Sequence, residues 1–169
     1  KQGKSGPLVF VTVAHDISVQ DRPVIQEEHD IVYRDAEQAA ASVVNSKLAP
    51  TDAHWSREIS PDPVQLFRYS ALTFNGYRIH YDRTYATEVE GYPGLIVHGP
   101  LIASWLTALV SRELPDRTIA EFSFRAIAPL FDTEPFSVHG RLEPEGKHVV
   151  LWAANSRGEL AMQAEAQLR

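Results

Sequence analysis

The stretch Val97-His98-Gly99-Pro100-Leu101-Ile102-Ala103-Ser104-Trp105-Leu106-Thr107-Ala108-Leu109-Val110-Ser111-Arg112 decides the fold. Pro100 suits the start of a helix, and Arg112 with Pro115 beyond it marks the end. Leu101, Ile102, Trp105, Leu106, Leu109 and Val110 cover much of its circumference. A helix apolar this far round is expected to be buried. Four strand-like runs follow, at 119–128, 135–142, 148–155 and 159–168. Glu145-Gly146-Lys147 and Ser156-Arg157-Gly158 join the last pairs as hairpin turns. One long helix followed by an antiparallel meander predicts an α+β fold whose sheet wraps the helix.

Upstream the pattern breaks into short pieces. Leu95-Ile96-Val97 reads as a brief apolar strand, and Gly91-Tyr92-Pro93-Gly94 as a loop. Asp82 is placed to cap a short helix reaching about Val89. Ser60-Pro61-Asp62-Pro63 signals the start of another short helix, with Val64, Leu66, Phe67 and Leu72 on its apolar side. Residues 55–60 read as a strand. Nearer the N-terminus, the β-branched run 8–14 and the run 24–33 form a hairpin about Gln20-Asp21-Arg22-Pro23. Two strands alone are marginal in water, so this hairpin is expected to dock on something. The Ala-rich and polar stretch after it, which includes Pro50, reads as a linker. The expected organisation is a hairpin over 1–34, a linker over 35–53 and the main α+β domain over 54–169.

Composition narrows the function. At 169 residues with 44% hydrophobic side chains, the chain has the material for a core. A net charge of −6 argues against general nucleic-acid binding. No apolar run approaches the roughly 20 residues of a membrane span. The stretch 95–110 is interrupted by His98, Gly99, Pro100, Ser104 and Thr107. With no cysteine there is no disulfide framework and no thiol nucleophile. The seven histidines show no ligand spacing with carboxylates, so no metal centre is expected.

Chemistry concentrates in Ser70-Ala71-Leu72-Thr73-Phe74-Asn75-Gly76-Tyr77-Arg78-Ile79-His80-Tyr81-Asp82, a turn between two short helices. Nearby, Gly99 opens the long helix, where backbone N–H groups and the positive dipole end lie free. Pro100 has no N–H, which makes Gly99 the natural donor. A histidine in a polar turn and an N–H at a helix start can serve chemistry at a carbonyl. On spacing alone, His80 also reads as a satisfied polar histidine, Asn75-Gly76 as a φ > 0 turn, and Asp82 as a cap. His98 is assigned no chemistry, and Trp105 reads as core.

The run Phe74-Asn75-Gly76-Tyr77-Arg78-Ile79-His80-Tyr81-Asp82, with Ala86 after it, resembles the hydratase-2 motif of MaoC-like hotdog hydratases and dehydratases. Val97-His98-Gly99-Pro100-Leu101 and Phe122-Ser123-Phe124-Arg125-Ala126 with Pro129-Leu130-Phe131 resemble that family too. The likeness covers about 64–169 and lies nearest the branch of 3-hydroxyacyl-thioester dehydratases and mesaconyl- or itaconyl-CoA hydratases. Gly3-Lys4-Ser5-Gly6-Pro7-Leu8-Val9-Phe10-Val11 resembles the end of the N-terminal half of two-hotdog members. The resemblance therefore implies one hotdog unit plus a remnant of another. The expectation is a truncated or trimmed chain, or one whose hairpin docks on a partner.

The family implies reversible hydration of enoyl thioesters of coenzyme A or acyl carrier protein, a hydro-lyase reaction. Its catalytic pair falls on Asn75 and His80. The first position is commonly Asp, and Asn cannot take a proton as a carboxylate does. His80 then acts as general base and acid, Asn75 positions water, and the Gly99 N–H binds the thioester oxygen. A hydroxyl on the central helix that supports the first catalytic side chain falls on Thr107. Arg78, Arg83 and Arg125 are candidates for phosphate contacts to the pantetheine-bearing group. No metal or redox cofactor is expected, since coenzyme A or phosphopantetheine is part of the substrate. A cytoplasmic homo-oligomer with neither nucleic acid nor membrane as partner is expected. The competing readings are a hotdog thioesterase, which Asn75 disfavours, and a non-catalytic acyl-binding module.

Overall fold

The computed structural model describes residues 2–3, 6–34 and 47–169, in two compact units divided between Ser42 and Val43. Most of the linker expected over 35–53 lies outside the described residues.

The first unit is a three-stranded antiparallel sheet of β1 (Gln2–Gly3), β2 (Gly6–Val19) and β3 (Arg22–Arg34), in that order. Gln20 and Asp21 both have positive φ, 50° and 61°. That is the two-residue turn whose twist matches the flanking strands. The hairpin is longer than the two apolar runs suggest, and its register shifts at Ile17/Ser18. Val9, Phe10, Val24, Ile25, Val32 and Tyr33 all stay exposed on it.

The second unit is built on the long helix that opens at Gly99. Its five-stranded antiparallel sheet runs β4 (Trp55–Ile59), β6 (Phe136–Leu142), β7 (His148–Asn155), β8 (Leu160–Leu168), β5 (Ile119–Ala126). Helix α2 (Gly99–Glu113) lies against the inner face. This is the hotdog arrangement. Leu106, Leu109 and Val110 of the helix join Val138, Val149, Leu151 and Ala153 of the sheet in one core. These buried sheet positions fall at every second residue, as strand geometry requires. Ser104, Ala108, Ser111 and Arg112 form an exposed stripe, so α2 is buried along one side and not all round. The inward face of the edge strand β5 is also left open: Phe124 pairs with Ala164 yet is 45% exposed.

Helix α1 (Pro63–Leu72) starts where the sequence signal places it, with the Asp62 carboxylate accepting from the Val64 N–H at 2.9 Å. Two elements differ from expectation. The apolar run Leu95-Ile96-Val97 makes a single bridge, Ile96 to Phe131: the Val97 N–H and the Leu95 carbonyl bond residues 130 and 132, while Ile96's own N–H and carbonyl go to Ile79 and His80. Residues 47–52 are not free linker. The Ala49 N–H donates to the Gly158 carbonyl at 2.9 Å, the Leu160 N–H to the Lys47 carbonyl at 2.8 Å, and Asp52 pairs with Arg141. This segment borders two clefts on the outer face of the sheet. There Trp152 is 1% exposed and His139 lies nearly parallel to it, ring centres 5.4 Å apart. Among the described residues no helix is long and apolar enough to cross a membrane.

Candidate active site

The site begins at the end of α1. The helix closes with the Asn75 N–H donating to the Ser70 carbonyl at 2.9 Å and the Phe74 N–H to the Ala71 carbonyl at 3.4 Å. That pairing needs a left-handed residue just past the cap, and glycine is the usual choice. Here Phe74 occupies it, with φ 53° and 96% of its surface exposed. Gly76 does not take a positive φ, so the Asn75-Gly76 turn reading is not how the chain bends. Instead the Asn75 side-chain oxygen accepts from the Tyr77 N–H at 3.1 Å. An amide donor needs an oxygen acceptor, which fixes the side chain's orientation and leaves its NH₂ group with its two donors.

A 3-10 turn (Arg78–His80) then brings His80 inward, where it is 8% exposed. Its Nδ1 lies 2.7 Å from the Ile96 carbonyl. A carbonyl only accepts, so Nδ1 carries the proton and Nε2 presents a lone pair. Burial holds this imidazole below its ordinary value of 6.5, with the Ile96 carbonyl acting in the opposite direction. Ile96 is itself held by its N–H donating to the Ile79 carbonyl at 3.0 Å. The strand piece before it is pinned by Asp132, whose buried carboxylate accepts from the Leu95 N–H at 2.9 Å and pairs with Arg83. Gly94 sits so close that a Cβ there would lie 2.7 Å from the Asp132 Oδ1.

The start of α2 completes the cluster. His98 is its N-cap residue and is 1% exposed. Its ring stacks on that of His80, centres 3.8 Å apart at 15°. Its Nε2 is 2.8 Å from the Ser70 hydroxyl, and among the described residues its buried Nδ1 has no hydrogen-bond partner. Burial and the neighbouring His80 push His98 down to about 4. Tyr69 meets His98 edge-on at 4.8 Å and interacts with the Ser104 hydroxyl. The Leu101 and Ile102 N–H groups both turn back to the His98 carbonyl at 3.1 Å. Pro100 has no N–H, which leaves the Gly99 amide as the donor at this helix end. A side chain at Gly99 would meet only Met162, at 3.9 Å.

Of the residues expected from sequence, Asn75 and His80 fall within this segment, and Gly99 is covalently next to His98. Thr107 is elsewhere: its hydroxyl donates to the Ser104 carbonyl at 3.0 Å, about 12 Å along the helix from Gly99. Arg78 is exposed, bonded to Asp82 at 2.7 Å and lying 4.3 Å over the Tyr85 ring. Arg83 serves Asp132. Arg125 pairs with Gln163 on the outer face of the sheet, away from α2. Asp82 caps the π-helical turn (Tyr85–Val89) by accepting from the Tyr85 N–H at 3.0 Å. Sequence reasoning passed over Ser70, Tyr69 and the chemistry of His98. The available signal was Ser70 itself, a hydroxyl four residues after Leu66 on the inward face of α1. Among the described residues no cluster suited to a metal ion occurs.

Comparison with known proteins follows the same lines. The sequence profile of hydroxyacyl-thioester dehydratase type 2 matches residues 1–132. The chain is 47% identical over 168 residues, 99% of its length, to a mesaconyl-C(4)-CoA hydratase of Chloroflexus aurantiacus. It is 32% identical over 122 residues, 70% of its length, to a mitochondrial hydroxyacyl-thioester dehydratase type 2 of Schizosaccharomyces pombe. It spans 59% of the first relative and 40% of the second. Among solved structures, an (R)-hydratase from A. caviae superposes with a TM-score of 0.60 at 20% identity, covering 77% of this chain and 98% of that one. That likeness bears on the fold.

Proposed function

The chain belongs to the hydroxyacyl-thioester dehydratase type 2 family, and on that premise we propose that it is a hydro-lyase acting on enoyl and 3-hydroxyacyl thioesters. The observation that carries the reading is His80: buried, with Nδ1–H committed to the Ile96 carbonyl and Nε2 left as a base. In the hydration direction Nε2 takes a proton from water as the water oxygen bonds to the β-carbon. The electron pair of the double bond moves onto the thioester, and the Gly99 N–H donates to the resulting enolate oxygen. The imidazolium then returns its proton to the α-carbon on the same face. Water is added in full and His80 is regenerated. Asn75 donates its NH₂ to the water, or to the departing hydroxyl in the reverse direction. No step requires the carboxylate that Asn75 lacks.

The Chloroflexus relative makes a short branched dicarboxylic enoyl-CoA the first substrate to test, with 3-hydroxyacyl thioesters second. Acyl carrier protein is the alternative thiol bearer, and a homo-oligomer is part of the same reading. The test follows enoyl ultraviolet absorbance and free thiol together. Loss of the enoyl band without thiol release is expected, and thiol release with the band intact would mark a thioesterase. His80→Ala is expected to lower kcat by about 10²–10⁴-fold.

A further inference from the structure

We propose that His98 is a positioning residue for His80: its ring, held by the Ser70 hydroxyl, fixes the plane of the base and supports its positive charge when it takes a proton. This rests on the hydratase reading of His80.

The Ile96 carbonyl holds one atom of the His80 ring, Nδ1, and a single hydrogen bond leaves the ring free to tilt about it. The 3.8 Å stack at 15° supplies the missing constraint. The same stack suits charge. A neutral aromatic ring offers a negative face, so an imidazolium laid on it is favoured. The arrangement works only while His98 itself stays uncharged, because two cations at that distance repel. Three features keep it so. His98 is 1% exposed. Its hydrogen-bond partner among the described residues is a hydroxyl and not a carboxylate. Protonation would leave a charged N–H at Nδ1 with no acceptor among the described residues. The titratable groups around the pair agree. Tyr69 from α1 faces His98, and Tyr77 faces His80 edge-on at 6.2 Å. Both phenols are held above their ordinary value and are neutral at neutral pH. Among the described residues no carboxylate is bonded to either imidazole. Packing alone would be served better by Leu or Phe, which bring no orphaned nitrogen.

The test uses the full chain and two readouts. Steady-state kinetics separate kcat from KM, and nitrogen-15 NMR follows the His80 titration in the free protein. His98→Leu is expected to lower kcat about tenfold at unchanged KM and to move the His80 midpoint down by about half a pH unit. His98→Phe, which restores a ring face, should recover most of both. Ser70→Ala should reproduce the kcat loss in part, and Ser70→Thr, which keeps the hydroxyl, should reverse it. The proposal is overturned if His98→Leu and Ser70→Ala leave kcat and the His80 midpoint unchanged. It is equally overturned if their losses merely follow a falling Tm. The NMR titration needs no turnover, so it decides the role of His98 even if enoyl thioesters prove inert and the hydratase reading fails.

Discussion

Asn75 shows how one residue can hold a turn and leave a functional group spare. Its oxygen is spent on the Tyr77 N–H, so only its NH₂ side can reach a substrate. Asn75→Asp keeps that oxygen and is expected to fold with an unchanged Tm. Asn75→Ala strands the Tyr77 N–H and is expected to lower stability by about 1 kcal/mol, read by denaturant unfolding. Both variants lose the NH₂ donor, so both should lower kcat, measured on the same enoyl thioester. Phe74 gives the second residue-scale prediction. A bulky residue at φ 53° is strained, and its ring makes no use of the position. Phe74→Gly is expected to raise stability by about 1 kcal/mol, seen as a higher Tm. The placing of Asn75 and His80 in one turn was legible in sequence, because the motif spaces them five residues apart. The stack on His98 was not, since it joins residues 18 apart through a fold that spacing does not encode.

At the scale of elements, the helix-start signals at Pro63 and Pro100 and the four strands of the meander were readable from local pattern. Their ends moved by a residue or two, as capping and bulges decide them. The degree of burial was less readable. Apolar residues over much of the α2 circumference predict a buried helix, and its core side is buried, yet Ser104, Ala108 and Ser111 stay open. Small residues weigh little in such a pattern, so a stripe of them passes unnoticed. On edge strand β5 the inward-facing Phe124 is likewise left 45% exposed. The covered side of α2 carries the core, and Leu106 is fully buried at its centre. Leu106→Ala is expected to destabilise by about 2–5 kcal/mol in denaturant melts. The start of the same helix carries His98 and Gly99, so such a loss of anchoring would also reach the site.

At the scale of the molecule, three histidines of the second unit, His80, His98 and His139, are all held below the ordinary imidazole value by burial. The unfolded chain protonates them near 6.5, while the folded chain resists until lower pH. Their contribution is therefore fully present above 6.5 and is lost as pH falls. For His98 the loss extends to about 4 and amounts to roughly 3 kcal/mol. Thermal melts across that window should show a falling Tm with acidification, and His98→Phe should flatten the fall. The division into two units was partly visible in sequence as a hairpin set apart from an α+β domain. The segment 47–52 was not: its bonds to the turn before β8 and to Arg141 depend on distant partners, so local composition reads it as loop.

The outer face of the sheet has an optical consequence. Trp152 is shielded from water with His139 lying flat on its indole ring. Protonated imidazole quenches indole emission, and neutral imidazole does so far less. The protein therefore carries a dye and a switch in contact, on the face of the sheet opposite α2. Emission should dim as His139 takes its proton below the ordinary imidazole range, and His139→Phe should abolish that step. Fluorescence titration then reads the integrity of the sheet with no label attached.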